Sequence, residues 1–322
     1  MNSFQGTLPD AICNLEQLIV LNLSYNSLAG KVPRCLGNFS NNLIELNIRM
    51  NSFQGTIPEA ICHLEQLIVL DLSYNSLVGK VPHCLGNFSN NLLELNIRMN
   101  SFQGTIPEAL GTNLTSFKLN GNQFGGLLPR SLLNCSKLEV LDVDNNKLHD
   151  IFPNWLETLP ELQVLVLGSN SFHGLVRSGS KANNLFPKLK IFDISRNNFS
   201  GPLPTGYLKI FKAMMDVNES KSDKLYIGGS IYDDTLELTI KGQEMELVKV
   251  LSMLFLIDLS ENKFEGEIPK VIGELKSLKS LNLSHNNLTG RILASIGLLT
   301  NLEGLDLSSN NFTDKFLKKW QI

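Results

Sequence analysis

Asp142 and Asp144 stand two residues apart, which on a strand puts both carboxylates on one face, where they could divide general acid from general base. Cys62-His63 and His83-Cys84 offer two pairs of ligands that a zinc ion could use. Their surroundings argue against both chemistries. Strand carboxylates are ordinarily solvated or ligand-facing, and the chain has no phosphate loop, nucleophile elbow, His-Glu-x-x-His helix or kinase signature beside them. Adjacent residues rarely both reach one metal, and a sister copy of the segment carries Asn14 and Arg34 where His63 and His83 stand. His149, His173 and His285 are scattered. The sequence therefore predicts no catalytic residue, no metal and no cofactor; the chain reads as a binding protein, not an enzyme.

What positions these residues is a periodic scaffold. The pattern Leu-x-x-Leu-x-Leu-x-x-Asn ends at Asn26, Asn51, Asn75, Asn100, Asn122, Asn146, Asn170, Asn197, Asn262, Asn286 and Asn310, and all but one of the intervals are 22–27 residues. This is the leucine-rich repeat, whose turns cannot bury their apolar face alone and so stack into a solenoid. In Leu18-x-x-Leu21-x-Leu23-x-x-Asn26 the alternation predicts a short strand with Leu21 and Leu23 inward and Val20, Asn22 and Ser24 outward. The terminal Asn is expected to turn inward and satisfy backbone groups of adjacent turns.

After the Asn come segments such as Ser52-Phe53-Gln54-Gly55-Thr56-Ile57-Pro58 and Lys263-Phe264-Glu265-Gly266-Glu267-Ile268-Pro269. This Leu/Phe-x-Gly-x-Ile-Pro signature resembles the plant extracellular type of repeat, which implies a second strand beyond the first. The expected fold is an α/β solenoid: a curved right-handed superhelix with a parallel β-sheet on its concave face and one non-repeat insertion.

The insertion lies in the single long interval, Asn197 to Asn262, which is 65 residues. Residues 1–204 read as a partial repeat plus eight, 205–251 as an island, and 252–322 as three further repeats. Within the island, Thr235 to Ile240 alternates with period two and reads as a strand before a Lys241-Gly242 turn. The stretch from Tyr232-Asp233-Asp234 through Lys241-Gly242-Gln243-Glu244-Met245-Glu246, running into Ile257-Asp258-Leu259-Ser260-Glu261-Asn262, resembles plant receptor-like proteins, cell-surface receptors without a kinase. That resemblance implies an extracellular peptide or protein ligand, co-receptor and adaptor kinases as partners, a role in defence or development, and residence at the cell membrane with the repeats outside. A soluble binding protein that inhibits a microbial enzyme shares the repeat type but is an uninterrupted array. A non-functional receptor fragment is the third possibility.

Residues 1–49 and 50–98 agree at 42 positions and differ at seven, so Met1 corresponds to Met50 and Met99 and the chain is expected to start inside a repeat. No leader, capping segment or membrane helix is legible, and open ends of this kind predict poor solubility. With 28 basic and 31 acidic residues, no field would draw nucleic acid or anionic membrane. Cys13, Cys35, Cys62, Cys84 and Cys135 follow the repeat rather than a cap, which favours buried free thiols; Cys13–Cys35 or Cys62–Cys84 bridges would need Cα atoms within about 7 Å. Of ten Asn-x-Ser/Thr sequons, Asn38, Asn87, Asn113, Asn198, Asn218 and Asn287 are the candidates for glycan.

Function then falls to the outward columns of the inner sheet. Tyr74, Arg98, Met99, Lys118, Asp142 and Asp144 are the candidate ligand contacts, being types enriched among interface anchors or charged neighbours of them. Tyr226 and Tyr232 are the island candidates, and the small side chains of Ser260, Ser284 and Ser308 agree with the co-receptor face that the resemblance implies.

Overall fold

The structure is a computed structural model of the chain; it describes residues 4–38, 42–86, 91–179, 185–215, 225–227, 236–240, 243–247 and 249–313. Two compact units, Met1–His149 and Asp150–Ile322, are each built of stacked turns. In the first, the inner strands Val20–Asn22, Glu45–Asn47, Val69–Asp71, Glu94–Asn96, Ser116–Lys118 and Val140–Asp142 pair in parallel. In the second, Val164–Val166, Ile191–Asp193, Leu256–Asp258, Ser280–Asn282 and Gly304–Asp306 do the same. The Gly-x-Ile-Pro segments form the expected second parallel sheets, such as Ser52–Gly55 beside Ser76–Gly79 and Asn198–Pro202 beside Lys263–Gly266.

The backs of the turns supply the helical share of the solenoid. They are five-residue 3-10 segments, such as Asp10–Asn14, Glu59–His63, Arg130–Asn134 and Lys270–Glu274. The cause is local: a proline opens each of these with extended φ/ψ and its carbonyl accepts an i→i+3 bond, as in Ile61 N–H to Pro58 O at 3.1 Å. The 3-10 helix is used in short pieces of this kind.

Each ladder Asn does what its position predicts. Asn75 Oδ1 accepts from Phe53 N–H at 3.0 Å in the preceding turn, while its Nδ2 lies 3.0–3.1 Å from the carbonyls of Ile48, Leu72 and Ser73. Asn51, Asn100, Asn122 and Asn146 repeat this in the first unit, and Asn197, Asn262, Asn286 and Asn310 in the second. The residue before each ladder Asn sits in the left-handed region in all eleven turns, with φ between 48° and 67°. Only one of the eleven is glycine. A left-handed side-chain residue costs on the order of 1–2 kcal/mol, and the Asn bonds on either side of it hold the turn there.

The cores are apolar throughout, with phenylalanines stacking turn on turn: Phe102 on Phe124, and Phe172 on Phe199 on Phe264, at ring separations of 6.1–6.4 Å. Ile191 pairs directly with Leu256, and Ser200 with Lys263, so the insertion loops out without breaking either sheet. Its first residues are themselves core. Two α-helical turns, Thr205–Leu208 and Lys212–Met215, bury Tyr207 and Met214, and Tyr207 with Phe211 between the turns packs against Phe186 and Phe192, Tyr207 also meeting Phe152. Tyr207 Oη donates to the buried Glu157 carboxylate at 2.7 Å, and Gly179 N–H caps the other carboxylate oxygen at 3.1 Å. Burial, then the Glu157 bond and charge, push the Tyr207 phenol far up, so it remains a neutral donor. Further on, Leu236–Ile240, the strand that the alternation predicts, pairs antiparallel with Gln243–Leu247.

The expectation of free thiols is overturned for four of five cysteines. Cys13–Cys35 and Cys62–Cys84 are disulfides with Cα separations of 5.8 and 5.9 Å. A spacing of 22 residues returns the chain to the same place one turn later, on neighbouring 3-10 segments, which brings the pair within bridging distance. Cys135 is free and buried, its Sγ 3.2 Å from Gly111 O, and burial pushes its thiol up to about 11, keeping it protonated.

Replacing Asn75 by Ala strands the Phe53 N–H, while the Ile48 carbonyl keeps its bond from Asn51 Nδ2, and the expected loss is about 1–3 kcal/mol, read by urea denaturation. Tyr207→Phe removes a hydrogen bond to a buried charge and is expected to cost about 1.5–3 kcal/mol by the same measurement. An unchanged midpoint in either variant contradicts the role given to that side chain.

Candidate functional site

The inner sheet of the first unit carries three outward columns. The first, Asn22, Asn47, Asp71, Asn96, Lys118 and Asp142, lies in register strand by strand. An Asn or Asp here accepts the N–H two residues on, closing the strand with a short side-chain turn. This occurs in nine of the eleven turns, for example Ser73 N–H to Asp71 Oδ1 and Ser260 N–H to Asp258 Oδ1, both at 2.9 Å. Lys118 and Val166 occupy the position in the other two turns.

The second column is Ser24, Arg49, Ser73, Arg98, Asn120 and Asp144, and the third, in the left-handed position, is Tyr25, Met50, Tyr74, Met99, Gly121 and Asn145. The 49-residue duplication makes the first four members of each alternate. The result is a stack: the Arg49 guanidinium lies 5.4 Å from the Tyr25 ring centroid and 5.5 Å from that of Tyr74, and Arg98 lies 4.9 Å from Tyr74 on its own side. Each such contact contributes about 0.5–2 kcal/mol as it becomes desolvated. Tyr25 and Met50 are 40% and 36% exposed, whereas Arg49 is 9% exposed and Arg98 fully covered. The sheet therefore presents a ridge of tyrosine and methionine side chains held upright by covered arginines.

The sequence candidates divide accordingly. Tyr74, Met99 and Asp144 are half-buried on this surface. Arg98, Lys118 and Asp142 are not displayed as the sequence suggests; all three are fully buried. Lys118 Nζ stands 3.5 Å from the Glu94 carboxylate of the adjoining strand, a pair shielded from water on both sides. Tyr25 and Met50, the duplicates of Tyr74 and Met99, are more exposed than either and belong to the same surface; the 49-residue identity is the signal that marks them.

In the second unit the corresponding column reads Val166, Asp193, Asp258, Asn282 and Asp306. Burial raises the Asp258 carboxyl, opposed by bonds from Ser260 and Asn282 and by the Arg196 charge. Ser260 and Ser284 are buried, their hydroxyls donating to Asp258 and Asn282 at 2.6 and 2.8 Å; Ser308 is exposed. Tyr226 is 39% exposed, with the Lys249 ammonium 5.5 Å from its ring centroid. Tyr232, Asn87 and Asn218 lie outside the described residues, as does the Asn38 side chain. Among the remaining sequons, Asn198 and Asn287 are exposed and Asn113 is half-buried. The one cluster among the described residues with metal-ligand types, Glu59 with Cys62 and Cys84, has both sulfurs tied up in their mutual disulfide. No helix among the described residues is long and apolar enough to cross a membrane.

Comparison with known proteins agrees with this geometry. A family model described as leucine-rich repeat region matches residues 2–218, and further leucine-rich-repeat models match 277–299 and 299–315. The chain is 42% identical over 275 residues to receptor-like protein 35 of Arabidopsis thaliana, 84% of this chain and 23% of that one. It is similarly 42% identical over 276 residues to receptor-like protein 32 of Arabidopsis thaliana, 84% of this chain and 26% of the relative, so it spans about a quarter of these proteins. Among solved structures it is similar to a TDR receptor, with TM-score 0.74 and 30% identity over 97% of this chain and 47% of that one. It is also similar to the Arabidopsis receptor kinase HAESA in complex with the peptide hormone IDA and the co-receptor SERK1, with TM-score 0.72 and 27% identity over 97% and 49% of the two chains. The chain belongs to the leucine-rich repeat family.

Proposed function

We propose that this chain is the ligand-recognition region of a plant receptor-like protein, displayed at the cell surface and binding an extracellular peptide or protein on the inner sheet of its first unit. The observation that carries this reading is the Tyr25–Arg49–Tyr74–Arg98 stack: rigid aromatic anchors whose cations are already paired with them present contact area at little cost in side-chain entropy. Tyr25, Met50, Tyr74, Met99 and Asp144 meet the ligand, while Arg98, Lys118 and Asp142 act from beneath by fixing the surface.

Three further observations support it. The two disulfides suit an oxidising, extracellular compartment. The looped-out insertion with its hairpin favours a receptor over an uninterrupted soluble inhibitor. The similar HAESA structure holds a peptide hormone together with a co-receptor. By that analogy the repeats after the insertion, where Ser308 is the exposed serine, meet a co-receptor kinase, and adaptor kinases carry the signal in defence or development. Binding, and not catalysis, is the activity.

The test selects peptides from a random library displayed against the full chain and measures their affinity for the Tyr25→Ala/Tyr74→Ala double variant. Loss of two aromatic anchors is expected to weaken binding by at least about tenfold with the far-ultraviolet circular dichroism unchanged. Equal binding by wild type and variant, or no peptide retained by wild type, contradicts the reading.

A further inference from the structure

The regular rule of the inner sheet fails at one turn of the first unit, and the same turn holds a buried amide oxygen without a partner. In nine turns an Asn or Asp at the strand end accepts the N–H of the second-column residue, and where that residue is Ser24, Ser260 or Ser284 it binds the hydroxyl as well. In the fifth turn the acceptor is replaced by Lys118, whose ammonium faces Glu94. The second-column residue there is Asn120, 1% exposed, and its Oδ1 accepts no hydrogen bond. A buried amide oxygen without a donor costs about 1–3 kcal/mol relative to a satisfied one, and such groups in native proteins call for an explanation.

The next residue supplies a second irregularity. Gly121 has φ 67° and holds the left-handed position that carries Tyr25, Met50, Tyr74 and Met99 in the turns before it. The place its Cβ would take is filled by the Met99 thioether, whose sulfur lies 2.4 Å from that point. The ridge of side chains therefore ends in a notch, roofed by a flexible methionine and adjoined by a buried amide.

We infer that Asn120 is a peptide-backbone recognition residue: a ligand in extended conformation lies along the ridge, turns the Met99 side chain aside, and donates a main-chain N–H to Asn120 Oδ1. The side-chain amide matches a peptide bond in both donor and acceptor, so one Asn can pair with one residue of a strand-like ligand whatever its side chain. The tyrosine and methionine ridge then reads alternate ligand side chains, and the notch fixes where along the ridge the ligand backbone sits. This inference rests on the peptide-binding reading above and adds to it the residue and the chemical group that are recognised. It also accounts for an amide kept in the sheet at the expense of stability, a trade found where sites are built for binding.

The experiment takes peptides selected on the wild-type chain and compares wild type with Asn120→Leu, which fills the same volume without the amide, and with Asn120→Ala as a smaller alternative should Leu overpack. Removing a polar group that has no partner in the free protein is expected to leave the melting temperature unchanged or raised, while peptide affinity falls about tenfold. Each peptide is then N-methylated one bond at a time. One methylated position is expected to weaken binding to wild type by a similar factor and to have no further effect on Asn120→Leu. Equal affinity for wild type and both variants, or N-methyl effects of the same size on wild type and variant at every position, overturns the inference. If peptides bind and depend on Tyr25 and Tyr74 but ignore Asn120, the binding surface stands and this residue's role does not; if no peptide binds wild type, the underlying reading fails first.

Discussion

Everything else in this protein depends on the side-chain amide of the ladder asparagine. Nine of the eleven accept a backbone N–H from one turn and donate to carbonyls of that turn's strand and of their own, so a single planar group closes a corner that the backbone cannot close for itself. No other neutral side chain of that length offers an acceptor and two donors in a plane. The corner it fixes forces the preceding residue into the left-handed region, which explains why tyrosine, methionine, arginine, glutamate and histidine all adopt a conformation that L-residues avoid. Strain of this kind persists only where the surroundings over-determine it.

The same corner creates the surface available for recognition. A left-handed residue leaves the plane of the sheet, so its side chain stands clear of the first two columns. The first column is committed to closing strand ends, nine turns out of eleven, and the second is partly spent on arginines that clamp tyrosines. Variation from turn to turn in what the sheet displays is thus concentrated in the third column and at turns where the first column breaks its rule. Lys118 marks one such break, and its pairing with Glu94 across neighbouring strands shows how a charge is accommodated there.

Much of this was legible in the sequence, and the rest was not for identifiable reasons. The period gave the strands, their inward leucines and the inward asparagines, the resemblance to the plant type of repeat implied the second sheet, and local alternation gave the strand before the Lys241-Gly242 turn, because each depends on residues within a few positions of one another or on the repeat itself. The 3-10 backs were less visible: the signature proline opens them, but Pro204 likewise opens the α-helical Thr205–Leu208, so the local sequence does not separate the two helix types. Arg98, Lys118 and Asp142 are fully buried although their strand positions face outward, so an outward position on a strand does not guarantee exposure. Disulfide formation depends on two segments one turn apart lying close enough on the back of the stack. Tyr207 was missed because it lies just inside the insertion by composition but packs as core, completing a buried contact with Glu157 fifty positions earlier.

The central claim, that the asparagine ladder couples each turn to the next, is tested most directly by native-state hydrogen exchange on the first unit. The amides of Leu28, Phe53, Leu77, Phe102 and Phe124 each donate to a ladder asparagine of the following turn. The account expects these five to exchange only through cooperative opening, with protection equal to that of the inner strands and far above that of the 3-10 amides of Ile61 and Leu132. Exchange of the ladder amides at rates typical of the 3-10 backs, by local fluctuation of single turns, would show that the asparagines decorate the stack without holding it together.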